Sequence, residues 1–168
     1  MASGTEHTDR PIRLFLSWAH ANEVLKDDFI SRLTPRLKIL TGVTFEWWED
    51  SHLWLGEEWR RGILDRIDEC DYALQLLSPE FLASDFNAKY EIPPFVGLQP
   101  RKACLPVGLS PVKFDGSQNL RGIDALQVFR LNGKFYSQVG RHKRDDFAST
   151  LASEIQRRIS GGSQWRAI

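Results

Sequence analysis

Glu91 closes the stretch Ser84-Asp85-Phe86-Asn87-Ala88-Lys89-Tyr90-Glu91, two helical turns past Ser84 and just before Pro93 and Pro94 stop any helix. Two upstream segments are shaped to meet it. One is Leu14-Phe15-Leu16-Ser17-Trp18, a buried strand running into a polar turn. The other is Trp47-Trp48-Glu49-Asp50, a strand end followed by a loop to Gly56 and Trp59. A carboxylate where strand and helix ends converge can stabilise positive charge developing on a sugar. Taken alone, Glu91 fits a solvated helix glutamate equally well, so its surroundings decide.

Presenting these groups together requires an ordered set of elements. Residues 1–10 are small and polar, a loose lead-in. Residues 12–18 form a nearly continuous apolar run, as in a strand covered on both faces. Asn22 is placed to cap the next helix, where Leu25, Phe29, Leu33 and Leu37 recur every fourth residue. Pro35 should kink this helix or end its first part. Thr41-Gly42 breaks it, and residues 43–48 read as a second strand. Trp59, Ile63 and Ile67 mark one face of a second helix, with Glu57 and Glu58 at its positive end.

Residues 72–77 form a third strand, and Ser78-Pro79 supplies a capped helix start. The helix it opens covers residues 81–92, with Ser84 as its breaking point. A fourth strand spans 102–109, where Pro106 argues for a bulge or a strand end. Residues 126–129 make a short fifth strand. From Asp145 onward, Phe147, Leu151, Ile155 and Ile159 define a final helix that Gly161-Gly162-Ser163 ends. Ahead of it, Arg141, His142, Lys143 and Arg144 read as a solvated basic face.

This alternation predicts an α/β fold: a three-layer sandwich around a central, mainly parallel five-stranded sheet of the flavodoxin-like kind. Such sheets bind ligands outside the carboxyl ends of their strands, near a switch in strand order. Ser17, Trp18, Asp50 and Ser78 all fall at such ends.

The totals narrow the classes. A chain of 168 residues forms one domain with a proper core. Its 22 basic and 22 acidic residues cancel, so nothing draws the whole molecule to nucleic acid or an anionic membrane. Its apolar runs are too short to span a bilayer, which predicts a cytoplasmic protein. Cys70 and Cys104 read as reduced, buried thiols, and neither has a second Cys or His at metal-ligand spacing. With neither a Walker pattern nor a GxGxxG, no resident nucleotide cofactor is expected.

At these residues the chain resembles a TIR (Toll/interleukin-1 receptor) domain, closer to the bacterial and plant branch than to the animal receptor adaptors. Leu14-Phe15-Leu16-Ser17-Trp18-Ala19-His20-Ala21-Asn22 is similar to the family's first box, with Trp18 where a tyrosine is usual. Phe45-Glu46-Trp47-Trp48-Glu49-Asp50 resembles its second strand and terminal aspartate. Leu53, Gly56, Trp59 and Ile63 match the BB loop and the helix after it. Residues 74–78, Phe81-Leu82-Ala83-Ser84-Asp85-Phe86 and Glu91 match the third strand and its helix, and Leu105-Pro106-Val107 the fourth strand. Each box is short, but five in order with fitting gaps make a specific signal. The resemblance covers residues 11–160, leaving 1–10 as a flexible N-terminus and 161–168 as a linker or added tail.

The resemblance implies an NAD+ glycohydrolase, in which NAD+ is a consumed substrate and Glu91 the catalytic carboxylate. Its products would be nicotinamide with ADP-ribose or a cyclic isomer. Enzymatic members often carry an aromatic four residues before that glutamate. Asn87 stands there instead, leaving Phe86, Trp54 and Trp59 as candidates to stack on nicotinamide. Asp50 could hold ribose hydroxyls or simply form a turn, and Gly56 could permit a tight turn beside the ligand or be a plain loop glycine. Ser17 could donate to phosphate or ribose, or to local backbone; His20 could reach phosphate or lie on the surface. The resemblance further implies activation by self-assembly in immune or antiphage defence, with the 50–56 loop completing a neighbour's pocket. The apolar Leu53-Trp54-Leu55 suits that role. A sensor domain, fused or separate, would fit. The alternative is a non-catalytic module that nucleates a signalling complex. A phospho-receiver domain shares the α/β pattern, but lacks support here because Ser17-Trp18-Ala19-His20 stand where its acidic metal ligands belong.

Overall fold

The computed structural model describes residues 10–48, 58–97 and 100–161. Four strands form one sheet: β1 (Ile12–Ser17), β2 (Phe45–Trp48), β3 (Tyr72–Leu77) and β4 (Ala103–Gly108), in the order β2-β1-β3-β4. Every pairing is parallel, with Phe15 beside Trp48, Ser17 beside Gln75, and Gln75 beside Pro106. The helices are α1 (Glu23–Lys38), α2 (Trp59–Glu69), α3 (Pro79–Ala83) and α4 (Arg141–Ser160), with a π-helical turn at Asn87–Glu91.

The strand order explains the layers. The chain moves from β1 out to β2, then back across β1 to β3, so right-handed crossovers place α1 and α2 on opposite faces. Packing agrees. Leu14, Leu16, Leu74 and Leu76 meet Phe29, Leu33 and Leu37 of α1 and Phe147, Leu151 and Ile155 of α4. Phe15 and Ala73, one residue out of phase, meet Ile63 and Ile67 of α2 and Phe95. A third apolar group, around Leu77, Phe81, Ile92 and Phe135, closes the end beyond β3. Phe29 is fully buried and touches Tyr136 and Phe147 edge-on; truncating such a ring costs about 3–5 kcal/mol.

Several expectations change in their details. Among the described residues the sheet has four strands rather than five: residues 126–129 contribute only a parallel bridge, Phe129 beside Val107. The reason is local. A 3-10 turn at Ile123–Ala125 precedes the segment, and Asn132 and Gly133, both at positive φ, reverse the chain just after it. Two bonds remain, Phe129 N to Pro106 O at 2.9 Å and Gly108 N to Phe129 O at 2.8 Å. They also explain Pro106, whose missing donor faces this outer edge and costs the β3–β4 ladder nothing.

Helix α1 continues through Pro35 to Lys38 without ending; Pro35 and Ser31 are both exposed, so water can meet the Ser31 carbonyl that loses its donor. Helix α4 starts at Arg141, so the basic cluster is its first turn rather than a face ahead of it. The expected interruption at Ser84 is present, with extended backbone (ψ 119) between α3 and the following helical turn. No helix among the described residues is long and apolar enough to cross a membrane.

Candidate functional site

The switch in strand order falls between β1 and β3, and their carboxyl ends carry the polar residues. Ser17 ends β1 and is fully buried. Because Leu14 and Leu16 face α1, Phe15 and Ser17 face the α2 side. On β3 the same alternation turns Ala73 and Gln75 to that side. The segment after Ser84 lies over this face and delivers Glu91. Ser17 Oγ donates to Glu91 Oε2 at 2.5 Å, and Glu91 is only 3% exposed.

Local sequence explains why Glu91 arrives there. Ser78 accepts from Phe81 N at 3.0 Å, and Pro79 needs no donor in the first turn, so α3 starts where β3 ends. The Ser78 hydroxyl donates in turn to Asn22 Oδ1 at 2.6 Å. That contact ties the two strand ends together. Asn22, expected to cap α1, makes no side-chain cap there: it ends the 3-10 turn His20–Asn22 that runs into the helix, so its backbone (φ −99, ψ 16) lacks the extended form of a cap. After Ser84, the bond from Ile92 N to Asn87 O (2.9 Å) spans five residues and opens a π turn. Such turns shift the residues they carry out of α phase and recur at functional sites.

A cavity of about 370 Å³ opens at this end, within the range of small-molecule sites. Trp18 to Ala21, Trp59, Ile63, Glu80, Ser84, Phe86, Asn87 and Glu91 line it. Its aromatic wall is a ladder: Trp59 to Phe86 at 5.5 Å between centroids, then Phe86 to Tyr90 at 5.1 Å. Trp59 is 49% exposed and stands at the mouth, not in the core. Trp18 is buried beneath Lys26 Nζ, 4.0 Å from its ring, with the His20 ring 4.9 Å away. A larger hollow of about 830 Å³ runs along β4 and α4. Its acid, Glu154, is on the surface and pairs with Arg157, so the smaller cavity is the better candidate.

The sequence-derived residues therefore separate into three groups. Trp18, His20, Trp59, Phe86, Asn87 and Glu91 share the cavity. Ser17 sits behind it, its hydroxyl turned to Glu91. Asp50, Trp54 and Gly56 lie outside the described residues. The Asn87 amide is buried and donates to Phe81 O at 3.4 Å. Sequence reading overlooked Glu80, an acid in the first turn of α3, and Gln75. Gln75 had a visible signal, a polar side chain in the middle of an apolar strand. Among the described residues, no group of three or more His, Cys, Asp or Glu could hold a metal ion.

No family model matches the chain. A stretch of 73 residues is 37% identical to the uncharacterized protein y4lF of Sinorhizobium fredii (strain NBRC 101917 / NGR234). The match covers 44% of this chain and 22% of that protein, so the chain corresponds to only a small part of that relative.

Proposed function

We propose that this chain is a TIR-type NAD+ glycohydrolase that cleaves the bond between nicotinamide and ribose. The observation that carries the reading is Glu91: a buried carboxylate facing a cavity at the β1/β3 switch point, held by Ser17. The leaving group is a cationic pyridinium that takes the bonding electron pair and departs neutral, so the reaction needs no general acid. What it needs is negative charge near the oxocarbenium-like ribose. At about 4 Å and an effective dielectric of about 20, a carboxylate stabilises a unit positive charge by about 4 kcal/mol. The ground-state pyridinium is already positive, so only the gain as charge moves onto the ribose speeds the step, and about a thousandfold in rate is the upper bound. In this reading Ser17 fixes the carboxylate, Glu91 faces the sugar, and Trp59 and Phe86 offer a flat surface to an aromatic ring. Water, or a nitrogen of the same substrate, then takes the ribosyl carbon, giving ADP-ribose or a cyclic isomer.

Self-association through the 50–56 loop and a role in defence signalling belong to the same proposal. So does a cytoplasmic location, which the two free cysteines suit. A second reading, a non-catalytic module nucleating a complex, is favoured by Asn87. A buried amide occupies the place where the resembling enzymes present an aromatic. Incubating concentrated protein with NAD+ and separating the products by chromatography distinguishes the two. Release of nicotinamide with ADP-ribose or its cyclic isomer is expected; intact NAD+ after prolonged incubation supports the module.

A further inference from the structure

We infer that Gln75 is the positioning residue for Glu91, holding its main chain while Ser17, its register neighbour on the adjacent strand, holds its carboxylate. Gln75 is fully buried at the centre of β3. Its Nε2 donates to the Glu91 carbonyl at 3.0 Å, and its Oε1 accepts from Cys104 Sγ at 3.3 Å. Both ends of the amide are engaged, so its orientation is set. Ser17 and Gln75 are direct partners in the β1–β3 ladder. Two side chains from adjoining strands thus grip the two polar ends of one residue.

The grip answers a specific need. Glu91 is the last residue of the π turn, and the carbonyls at a helix end lack partners within the helix. Pro93 and Pro94 follow and have no N–H to give, while Phe95 N is taken by Ile92 O at 3.1 Å. The Gln75 amide supplies the donor. An apolar residue at this position would leave a buried carbonyl unmet and let the turn re-form, moving the carboxylate away from Ser17. Gln75 lies beneath Glu91, outside the cavity wall, so it acts through Glu91 and not on the substrate.

The catalytic consequence rests on the reading of Glu91 as the carboxylate that cleaves NAD+; the geometric claim does not. Two measurements on Gln75→Met keep them apart. In steady-state kinetics with NAD+, kcat is expected to fall at least about tenfold while KM stays within about twofold. An unchanged kcat with a lowered melting temperature would make Gln75 only a structural cap and overturn the inference. In a crystal structure of the same variant, Glu91 and Ser17 are expected beyond hydrogen-bond distance. A retained contact overturns the inference whether or not the parent consumes NAD+. If Gln75→Met fails to fold, Gln75→Asn takes both measurements, since its amide is one methylene too short to reach. A parent that leaves NAD+ intact removes the glycohydrolase reading, and the crystal structure still decides the positioning claim.

Discussion

Among the described residues, two carboxylates accept a hydrogen bond from the hydroxyl of a distant residue, and they serve opposite ends. Asp28, on α1, accepts from Tyr136 OH and from Arg144 Nη1 at 2.9 Å, with Arg32 Nε at 3.4 Å. Arg32 and Arg36 continue to Asp145 at 2.8 and 3.3 Å, so the network stitches α1 to α4. Burial pushes the Asp28 carboxyl up, but its hydrogen bonds to Tyr136, Arg32 and Arg144 outweigh that and hold it below its ordinary value. Glu91 is buried, accepts from Ser17 and lines a cavity. A carboxylate ringed by guanidinium groups on a helix seam is a fastener. One buried in the wall of a cavity, with a hydroxyl donating to it, suits the proposed role of facing a ligand.

The contrast predicts a crossed result. Ser17→Ala should lower NAD+ cleavage per folded molecule by about tenfold to a hundredfold, the value of one hydrogen bond to a charged group, beyond the loss in urea midpoint that follows from leaving a buried carboxylate short of a donor. Asp28→Ala should cost about 1–2 kcal/mol of stability by urea unfolding, because it strands Arg144 and Tyr136. Cleavage per folded molecule should not change. If Asp28→Ala lowers cleavage per folded molecule, or Ser17→Ala leaves it unchanged, the division between fastener and site fails.

Trp54→Ala should reduce self-association and activity together, read by light scattering and NAD+ loss. Unchanged assembly would detach the 50–56 loop from the proposal. The pH dependence is smaller and belongs to the fastener. With a lowered value in the folded state, Asp28 binds fewer protons folded than unfolded. Its contribution is present above about pH 4 and lost as pH falls through the folded value. Asp28→Asn should flatten that acid limb in urea titrations between about pH 2 and 5. Smallest of all, burial pushes both the Cys70 and the Cys104 thiols up to about 12. Neither should react with iodoacetamide at about pH 8 until urea unfolds the chain.

Local chemistry was legible wherever neighbours in sequence decide the outcome. The unbroken apolar runs gave β1 and β3, the fourfold spacing gave α1, and Ser78-Pro79 with Ser84 gave α3 and its break. The convergence of Ser17 with Glu91 was also foreseen as a meeting of segments, 74 residues apart. What escaped depends on partners that spacing does not reveal. Asn22 forgoes its cap because a 3-10 turn runs through it into α1, and its side chain meets Ser78 instead; residues 126–129 stop at one bridge because turns flank them closely. Gln75 looks like an interruption of an apolar strand until the orphan carbonyl above it is seen.

The central claim is that Glu91 is the carboxylate facing the ribose, and comparing Glu91→Ala with the parent tests it most directly. Nicotinamide release from NAD+ is measured at high protein concentration, alongside melting curves. The account predicts a loss of release of about a hundredfold to a thousandfold in a variant that still unfolds cooperatively as a folded domain. Release at the parental rate in that variant would contradict it.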